Sequence, residues 1–324
     1  MFFAKNIKQI QTDKKRSDPM SSKKSGGRLS LATRRKLQPY YYIAPVMIVL
    51  LIMFGYPLIK SIVMSFQEYK LSRLDKVAWN DFENYIEMFE DKRFWLLVKN
   101  SVVYVIASVG GQFLLGLGLA LGLNGKFKGR GIYQSIVFLP WAFSAFVIGL
   151  LFRWSFNGEY GVVNDLLKKL GLIDKGISWL GTPGLSLMVI VFAMIWIGIP
   201  FFAINILAAL QSVPSDVYEA ADMDGCGIFR KFFTITVPFI KPTIITTILL
   251  RTIWIFNSFD LVVIVTEGGP ASYSETLPSY MYTQAFASYD FGLAGAFGVL
   301  LMVVLTVYAL IYLKLTKYDE AGDF

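Results

Sequence analysis

The sequence predicts an all-α membrane protein with six transmembrane helices and both termini in the cytoplasm, for three reasons. Of its 324 residues, 55% are hydrophobic and only 17% are charged, whereas a soluble domain is roughly 45–50% apolar and about 25% charged. Six apolar stretches are each long enough to cross a hydrocarbon core of about 30 Å. Lysine and arginine are concentrated in alternate connecting segments. These features exclude a disordered chain and argue against a soluble enzyme.

The chain begins with a basic tail over residues 1–39, which holds eleven Lys/Arg and two Asp/Glu. The rest of the chain is nearly balanced, with 20 basic and 21 acidic groups. The Lys-, Ser- and Gly-rich composition of the tail predicts disorder. A basic excess confined to one tail is typical of a cytoplasmic topology signal, so we expect no nucleic-acid partner.

A transmembrane domain is predicted over residues 40–318, followed by a short C-terminal tail at 319–324. Basic residues follow the second, fourth and sixth apolar stretches, which places both termini in the cytoplasm. Gly118 and Gly122 have the spacing of a helix-packing seam. The six spans are predicted at residues 42–64, 100–123, 132–155, 185–210, 243–265 and 292–314.

The residue inventory excludes several kinds of chemistry. Cys226 is the only cysteine and there is no histidine, so an internal disulfide, a Ser-His-Asp triad and the usual zinc ligand sets are excluded. A phosphate-binding P-loop is absent, because Gly125-Lys126 is followed by Phe127. We therefore predict a non-enzymatic chain with no catalytic residue, no metal site and no cofactor of its own.

Residues 211–242 are predicted to form a cytoplasmic loop with helical signals of its own. Pro214 suits the first turn of a helix, and Gly225 tolerates the left-handed backbone of a helix stop. A second short helix is expected to end at Pro238, with Pro242 opening the fifth span. The loop is therefore predicted to be a helix–glycine turn–helix unit that presents bulky apolar residues to the cytosol.

This loop carries a resemblance to a known family, because its residues follow the pattern E-A-A-x3-G-x9-I-x-L-P, with Val237 in place of the usual leucine. The segment resembles the EAA loop of the ABC importer permeases. The resemblance implies their type I permease fold and implies that the loop seats in a cleft of a separate ATPase subunit. An amphipathic hairpin lying on the membrane surface is the alternative. The residues assigned to coupling are Glu219, Ala220, Ala221, Asp224, Gly225, Phe229, Ile235 and Pro238.

Four further segments resemble the carbohydrate-type permeases, in particular the larger subunit of maltose permeases. They are A-P…Y-P-L within residues 44–58, N-Y…D…F within 80–95, L-P-W…W…G-x-x-N within 138–164 and F-N-x-F-D…T-x-G-G-P within 256–270. The additional N-terminal spans and the large external domain of that subunit are missing from this chain.

The resemblance implies one subunit of an ATP-driven importer of a sugar or oligosaccharide in the inner (plasma) membrane of a bacterium. It implies a second similar permease subunit, two ATP-binding cassette subunits that hold ATP and Mg²⁺, and an extracytoplasmic sugar-binding protein. The lipid bilayer is the remaining partner.

Polar groups in the fifth span are candidates for the substrate pathway, because amides and charges are costly at membrane depth. Arg251 lies about ten residues into the predicted span at 1.5 Å per residue, and Asn257 and Asp260, three apart, are expected to share one helical face. An amide, a carboxylate and the ring of Phe256 suit the hydroxyls and apolar faces of a sugar. The resemblance points to the last three positions as well and adds two from the fourth span. The candidate pathway is Gly198, Phe201, Arg251, Phe256, Asn257 and Asp260.

Each of these assignments has a structural alternative. Asp260 would cost little in water at the outer end of its span, and Arg251 would serve packing if it paired with backbone carbonyls or a partner's carboxylate. Gly198 and Pro200 would serve only to kink the fourth span. Two tryptophans, Trp196 and Trp254, are expected to be packing or interface aromatics.

Two other function classes were compared with the importer. An ion-gradient-driven secondary transporter of a small polar solute predicts inverted repeats and carboxylates at corresponding depths in both halves, and the sequence has neither. A membrane-embedded enzyme is disfavoured by the missing histidine and the scarcity of intramembrane acids.

Overall fold

The computed structural model describes residues 31–125 and 127–316, and this part of the chain is helical apart from one short antiparallel hairpin. The chain divides into two compact units, Met1–Pro57 and Leu58–Phe324. Residues 1–30 of the predicted tail and the predicted C-terminal tail at 319–324 lie outside the described residues. Residues 31–39, which the sequence assigns to the tail, belong to a helix that begins at Leu31.

The elements follow one another along the chain with short connections. The helices are α1 (Leu31–Leu50), α2 (Tyr56–Met64), α3 (Glu83–Glu90), α4 (Phe94–Asn124), α5 (Arg130–Phe138), α6 (Ala145–Ser155), α7 (Val162–Lys169), α8 (Leu185–Ser212), α9 (Ser215–Met223), α10 (Ile228–Lys231), α11 (Val237–Asn257), α12 (Asp260–Thr266), α13 (Leu277–Phe286) and α14 (Phe291–Thr316); the strands are β1 (Gln67–Glu68) and β2 (Ala78–Trp79).

Among the described residues, five helical stretches are long and apolar enough to cross a membrane, and a bent helix pair supplies a sixth if it counts as one span. The structure thereby confirms a mostly helical chain with several apolar spans. The five stretches are Gln38–Met64, Phe94–Asn124, Leu185–Ser212, Ile228–Asn257 and Phe291–Thr316, and the bent pair is Arg130–Ala142 with Ala145–Ser155.

The third predicted span, residues 132–155, is wrong as a single helix, because α5 and α6 meet at an angle of 93°. Pro140 lies in the 3₁₀ turn after α5, and Phe143 is extended, so the helical hydrogen bonds stop there. The side chain of Ser144 then accepts a hydrogen bond from the backbone N–H of Val147 at 3.3 Å and caps a new helix.

The fifth predicted span, residues 243–265, is also wrong in its limits. One helical run extends from Ile228 to Asn257 through a π-helical turn at Phe232–Thr236, and α12 is a separate helix. Pro238 does not end a helix, because it lies in the first turn of α11, where its missing N–H is tolerated. Pro242 lies inside the same helix rather than at its start.

The main packing seam is the contact of α4 with α8, and it depends on two glycines of α4. A Cβ on Gly116 would lie 3.1 Å from the backbone nitrogen of Ala203, and a Cβ on Gly111 would collide with the side chain of Ile195. The predicted seam at Gly118 and Gly122 is wrong for contacts within this chain, since a Cβ at either position meets nothing within 4 Å among the described residues.

This difference predicts opposite effects for two neighbouring glycines. We expect Gly116→Ala to lower the free energy of unfolding by about 1–3 kcal/mol, because the added methyl group overpacks the seam. Gly118→Ala, the matched control, should be neutral or raise it by up to about 1 kcal/mol, since alanine favours the helix. Denaturant unfolding of the purified protein measures both. Equal destabilisation by the two changes would contradict this seam.

At one end of the second unit, the segments around residues 65–93 and 267–290 pack together; this is the hairpin end. Lys70 and Asp290 form an ion pair at 3.3 Å. The Asp91 carboxylate accepts hydrogen bonds from Arg93 Nη2 at 2.7 Å and from the Tyr280 hydroxyl at 2.8 Å. Burial alone raises the pKa of Asp91, but the hydrogen bonds from Arg93 and Tyr280 outweigh it and hold that pKa below its usual value.

Glu275 in the same end behaves in the opposite way. Its residue is only 6% exposed, and burial raises the pKa of its carboxyl, although a hydrogen bond from Ser272 and the charge of Arg93 offset part of this. Because the raised pKa belongs to the folded state, ionisation opposes folding.

We therefore expect the wild-type protein to lose stability as the pH rises from about 4.5, the ordinary pKa of a glutamate, towards neutral. Glu275→Gln lacks this ionisation, so its free energy of unfolding should fall less over the same range. Unfolding at a series of pH values between 4.5 and 7 measures the difference. Identical slopes for the two proteins would show that Glu275 does not contribute.

Candidate functional site

A cavity of about 310 Å³ lies where α8 and α11 meet the bend between α5 and α6. It contains one charged side chain, one hydroxyl and two indole rings in an otherwise apolar wall. Its lining residues are Trp141, Phe143, Ala145, Met194, Ile197, Arg251, Trp254, Ile255, Ser258 and Leu261. A concave, mostly apolar site with a few polar groups is typical of a small-molecule pocket.

Arg251 is held in this wall by two groups of its own chain. Its Nε donates a hydrogen bond to Gln112 Oε1 at 2.6 Å, and Gln112 Nε2 donates to the Met194 carbonyl at 2.7 Å. The guanidinium carbon also lies 5.7 Å from the ring centroid of Phe201, within cation–π range. The amide of Gln112 is therefore its polar partner, rather than a backbone carbonyl.

Gly198 makes this arrangement possible. A Cβ at this position would overlap the carboxamide of Gln112, so the glycine leaves the space in which the amide reaches Arg251. The helix α8 continues through Pro200 to Ser212. The structure therefore gives Gly198 a packing role against Gln112.

Three of the predicted pathway residues thus come together, and two aromatic residues join them. The ring centroids of Phe201 and Trp254 are 5.3 Å apart, and Trp254, expected to be a packing residue, lines the cavity. The indole Nε1 of Trp141 donates to the Ile197 carbonyl at 3.0 Å. Gln112 was missed, although an amide within an apolar span is a signal that could have identified it.

The other three predicted pathway residues lie at a break in the helix. α11 ends at Asn257, Ser258 is extended, and α12 begins at Asp260. The expectation that Asn257 and Asp260 share one helical face is therefore wrong, because no single helix contains both. Both residues are exposed, and Phe256 is half-buried in the core.

Local interactions explain the geometry of this break. Asn257 Nδ2 donates to the Ile253 carbonyl of its own helix at 2.9 Å. Asp260 lies in the first turn of α12, where a negative charge compensates the helix dipole. A break at membrane depth exposes backbone polar groups and is tolerated where it lines a cavity.

The predicted coupling loop forms a second candidate site, at the end of α8 that leads away from Leu180. α9 carries Glu219, Ala220 and Ala221, of which only Ala221 is buried. Gly225 has φ of +69°, a left-handed conformation that favours glycine. The next helical run begins three residues later, so the loop contains one short helix that joins the fifth span directly, not the predicted pair of short helices.

Contacts between α9 and the following helical run hold the loop together. The Tyr218 and Thr236 hydroxyls share a hydrogen bond of 2.9 Å, and Asp222 pairs with Lys231. Asp224 and Phe229 are exposed, whereas Ile235 and Pro238 are half-buried at the base of the loop.

An apolar patch remains exposed on this loop and consists of four bulky side chains. Their exposed fractions lie between 66% and 89%, and they are Met223, Ile228, Phe229 and Phe233. Large side chains clustered on one exposed surface mark an interaction site. Among residues 31–125 and 127–316, no group of three potential metal ligands was found.

Comparison with known proteins gives a consistent result. Residues 112–317 match the family described as "Binding-protein-dependent transport system inner membrane component". The chain is 36% identical over 278 residues to the sulfoquinovosyl glycerol transport system permease protein SmoG of Agrobacterium fabrum, covering 86% of this chain and 90% of SmoG. It is 30% identical over 326 residues to the diacetylchitobiose uptake system permease protein DasB of Streptomyces coelicolor, covering 97% and 99%.

A similar structure is the crystal structure of a bacterial ABC transporter involved in the import of the acidic polysaccharide alginate. It matches with a TM-score of 0.76 and 25% sequence identity, covering 88% of this chain and 97% of that chain.

Proposed function

This chain belongs to the family of binding-protein-dependent transport system inner membrane components, and we infer that it is the membrane-spanning subunit of an ABC importer for a sugar or oligosaccharide. The observation that carries this conclusion is its similarity, over nearly its whole length, to permeases whose names specify carbohydrate cargo. These relatives take chemically different carbohydrates, so the shared property is the sugar class. The ion-gradient-driven alternative is not favoured.

We propose that ATP and Mg²⁺ are held by two separate ATP-binding cassette subunits and that this chain supplies no covalent chemistry. The loop 211–242 fits the role of the coupling surface, because its apolar patch is exposed beside the acidic Glu219. Burial of such a patch against an ATPase would remove apolar surface from water. ATP-driven movement of the loop would then be transmitted along the continuous helix that begins at Ile228.

We propose a second, similar permease as the other half of the pathway. The cavity of about 310 Å³ lies beside the helix break between Asn257 and Asp260. A partner permease would close this side of the pathway, and an extracytoplasmic binding protein would deliver the sugar. We further propose that both termini lie in the cytoplasm of a bacterium, with the basic tail as the topology signal.

The function is tested in proteoliposomes that contain this chain, a second permease and the two ATPase subunits. With the binding protein outside, we expect uptake of at least one of diacetylchitobiose, maltose and arabinotriose, and uptake should require ATP inside. Ionophores that collapse ion gradients should leave it unchanged. Uptake that persists without ATP and stops with the ionophores would favour the secondary transporter instead.

A further inference from the structure

A second cavity, of about 660 Å³, lies at the far ends of α6 and α12, away from the cavity beside Arg251. The cavity beside Arg251 meets these helices near their starts, at Ala145 and Leu261. The second cavity meets them at Arg153 and Thr266. At 1.5 Å per residue, the two positions on α6 are about 12 Å apart along the helix.

Two exposed aromatic rings stand in the wall of this second cavity. Trp154 is 53% exposed and Tyr160 is 64% exposed. Each has an apolar ring face and a polar tip, and this combination suits a sugar ring with an apolar face and peripheral hydroxyls.

Asn157, between them, is fixed by the turn that it belongs to. Its Oδ1 accepts hydrogen bonds from the backbone N–H groups of Glu159 at 2.9 Å and Tyr160 at 3.3 Å. The turn therefore engages the oxygen of this amide and not its NH₂ group, which is a donor for a hydroxyl.

The charge in the cavity is already balanced. Arg153 Nη1 donates to Glu267 Oε1 at 3.0 Å and to the Ile264 carbonyl at 3.1 Å. Because the guanidinium has a carboxylate partner, the cavity has no unbalanced positive charge to attract a phosphate or carboxylate. A neutral, hydroxyl-rich ligand fits it better.

The opposite wall is a loop held in an unusual backbone conformation. Glu267 has φ of +55° and Gly268 has φ of +83°, and a non-glycine residue in the left-handed region costs about 1–3 kcal/mol. Ser274 holds the loop closed by sharing a hydrogen bond of 2.7 Å with the Thr266 hydroxyl and donating to the Gly269 carbonyl at 2.6 Å. Strained backbone of this kind concentrates at ligand sites.

We propose that this cavity binds one pyranose unit of a neutral oligosaccharide, stacked against Trp154 and Tyr160. The inference rests on the proposed function and extends it, because it adds a subsite at the other end of the two helices that reach the cavity beside Arg251. A sugar chain would contact this subsite on its way to or from that cavity.

The test uses the complete importer in lipid nanodiscs, without ATP and without its binding protein. Maltopentaose, cellopentaose and penta-N-acetylchitopentaose serve as probes, and saturation-transfer NMR measures their affinity. We expect at least one of them to bind the wild type. The double variant Trp154→Ala/Tyr160→Ala should bind it about tenfold more weakly, while the control Trp95→Ala, at a tryptophan that is 71% exposed, should bind it normally.

Trp154→Phe with native Tyr160 should restore most of the affinity, since it keeps a ring face, which separates stacking from general misfolding. Equal affinity of the wild type and the double variant, or no binding of any probe to the wild type, would overturn the subsite. The uptake assay above distinguishes this from failure of the proposed function: wild-type uptake that persists leaves the importer intact and removes only the subsite.

Discussion

Glu219→Lys should abolish sugar-stimulated ATP hydrolysis while leaving the permease inserted in the membrane. Glu219 is exposed on α9 next to the apolar patch, so reversing its charge places a lysine in the surface proposed to meet the ATPase. A charge-assisted contact there would be replaced by an unpaired charge in an interface that excludes water. ATP hydrolysis by the assembled complex, with and without the sugar-loaded binding protein, measures the effect.

The matched control is Glu87→Lys, which reverses an exposed acid on the helix α3 at the hairpin end. We expect its stimulated hydrolysis to equal that of the wild type. Phe229→Asp tests the apolar patch separately, because Phe229 is 82% exposed, and it should reduce co-purification of the ATPase. Normal stimulation in Glu219→Lys together with normal co-purification in Phe229→Asp would remove the loop 211–242 from coupling.

Asn257→Ala and Asp260→Ala should each lower sugar transport about tenfold to hundredfold. Loss of an amide or carboxylate at the helix break would leave a sugar hydroxyl without its partner, which costs about 1–3 kcal/mol, and every 1.4 kcal/mol is about tenfold in affinity. Assembly with the ATPase and basal hydrolysis should be unchanged, because both side chains are exposed in this chain. Transport by the assembled complexes at limiting and saturating binding protein measures the effect.

Asn205→Ala provides the matched control for the loss of an amide. Asn205 Nδ2 donates to the Phe201 carbonyl four residues earlier at 2.7 Å, the same local bond that Asn257 makes to Ile253 at 2.9 Å. Removing it should cost the same helix interaction without affecting transport. Wild-type transport in Asn257→Ala and Asp260→Ala at every concentration would place sugar recognition elsewhere.

The break between Asn257 and Asp260 also changes how the fifth span is expected to work. A straight helix would satisfy its own backbone groups, whereas the extended residue Ser258 interrupts the helix at the wall of the cavity. Backbone polar groups at such a break can bond a ligand that the side chains alone would hold less specifically. Recognition in this cavity therefore depends on backbone as well as on Arg251.

Some of this could be predicted from the sequence, and some could not, for a physical reason. The sequence by itself determined the helical class, the approximate apolar spans and the glycine turn at Gly225, because each depends on local composition and on backbone rules. Lipid requires each spanning segment to satisfy its own polar groups, so an apolar run of sufficient length is already informative.

Only the tertiary structure decided which polar groups meet. Gln112 and Arg251 are 139 positions apart in sequence, and their bond depends on the space left by Gly198. The bend at Phe143 and the break at Ser258 likewise occur inside apolar runs that read as continuous helices. Hydropathy does not distinguish a lipid-facing side chain from one packed on a neighbouring helix, because both environments are apolar. The seam at Gly111 and Gly116, and with it the position of the cavity, therefore follows from contacts between α4 and α8 that no single segment specifies.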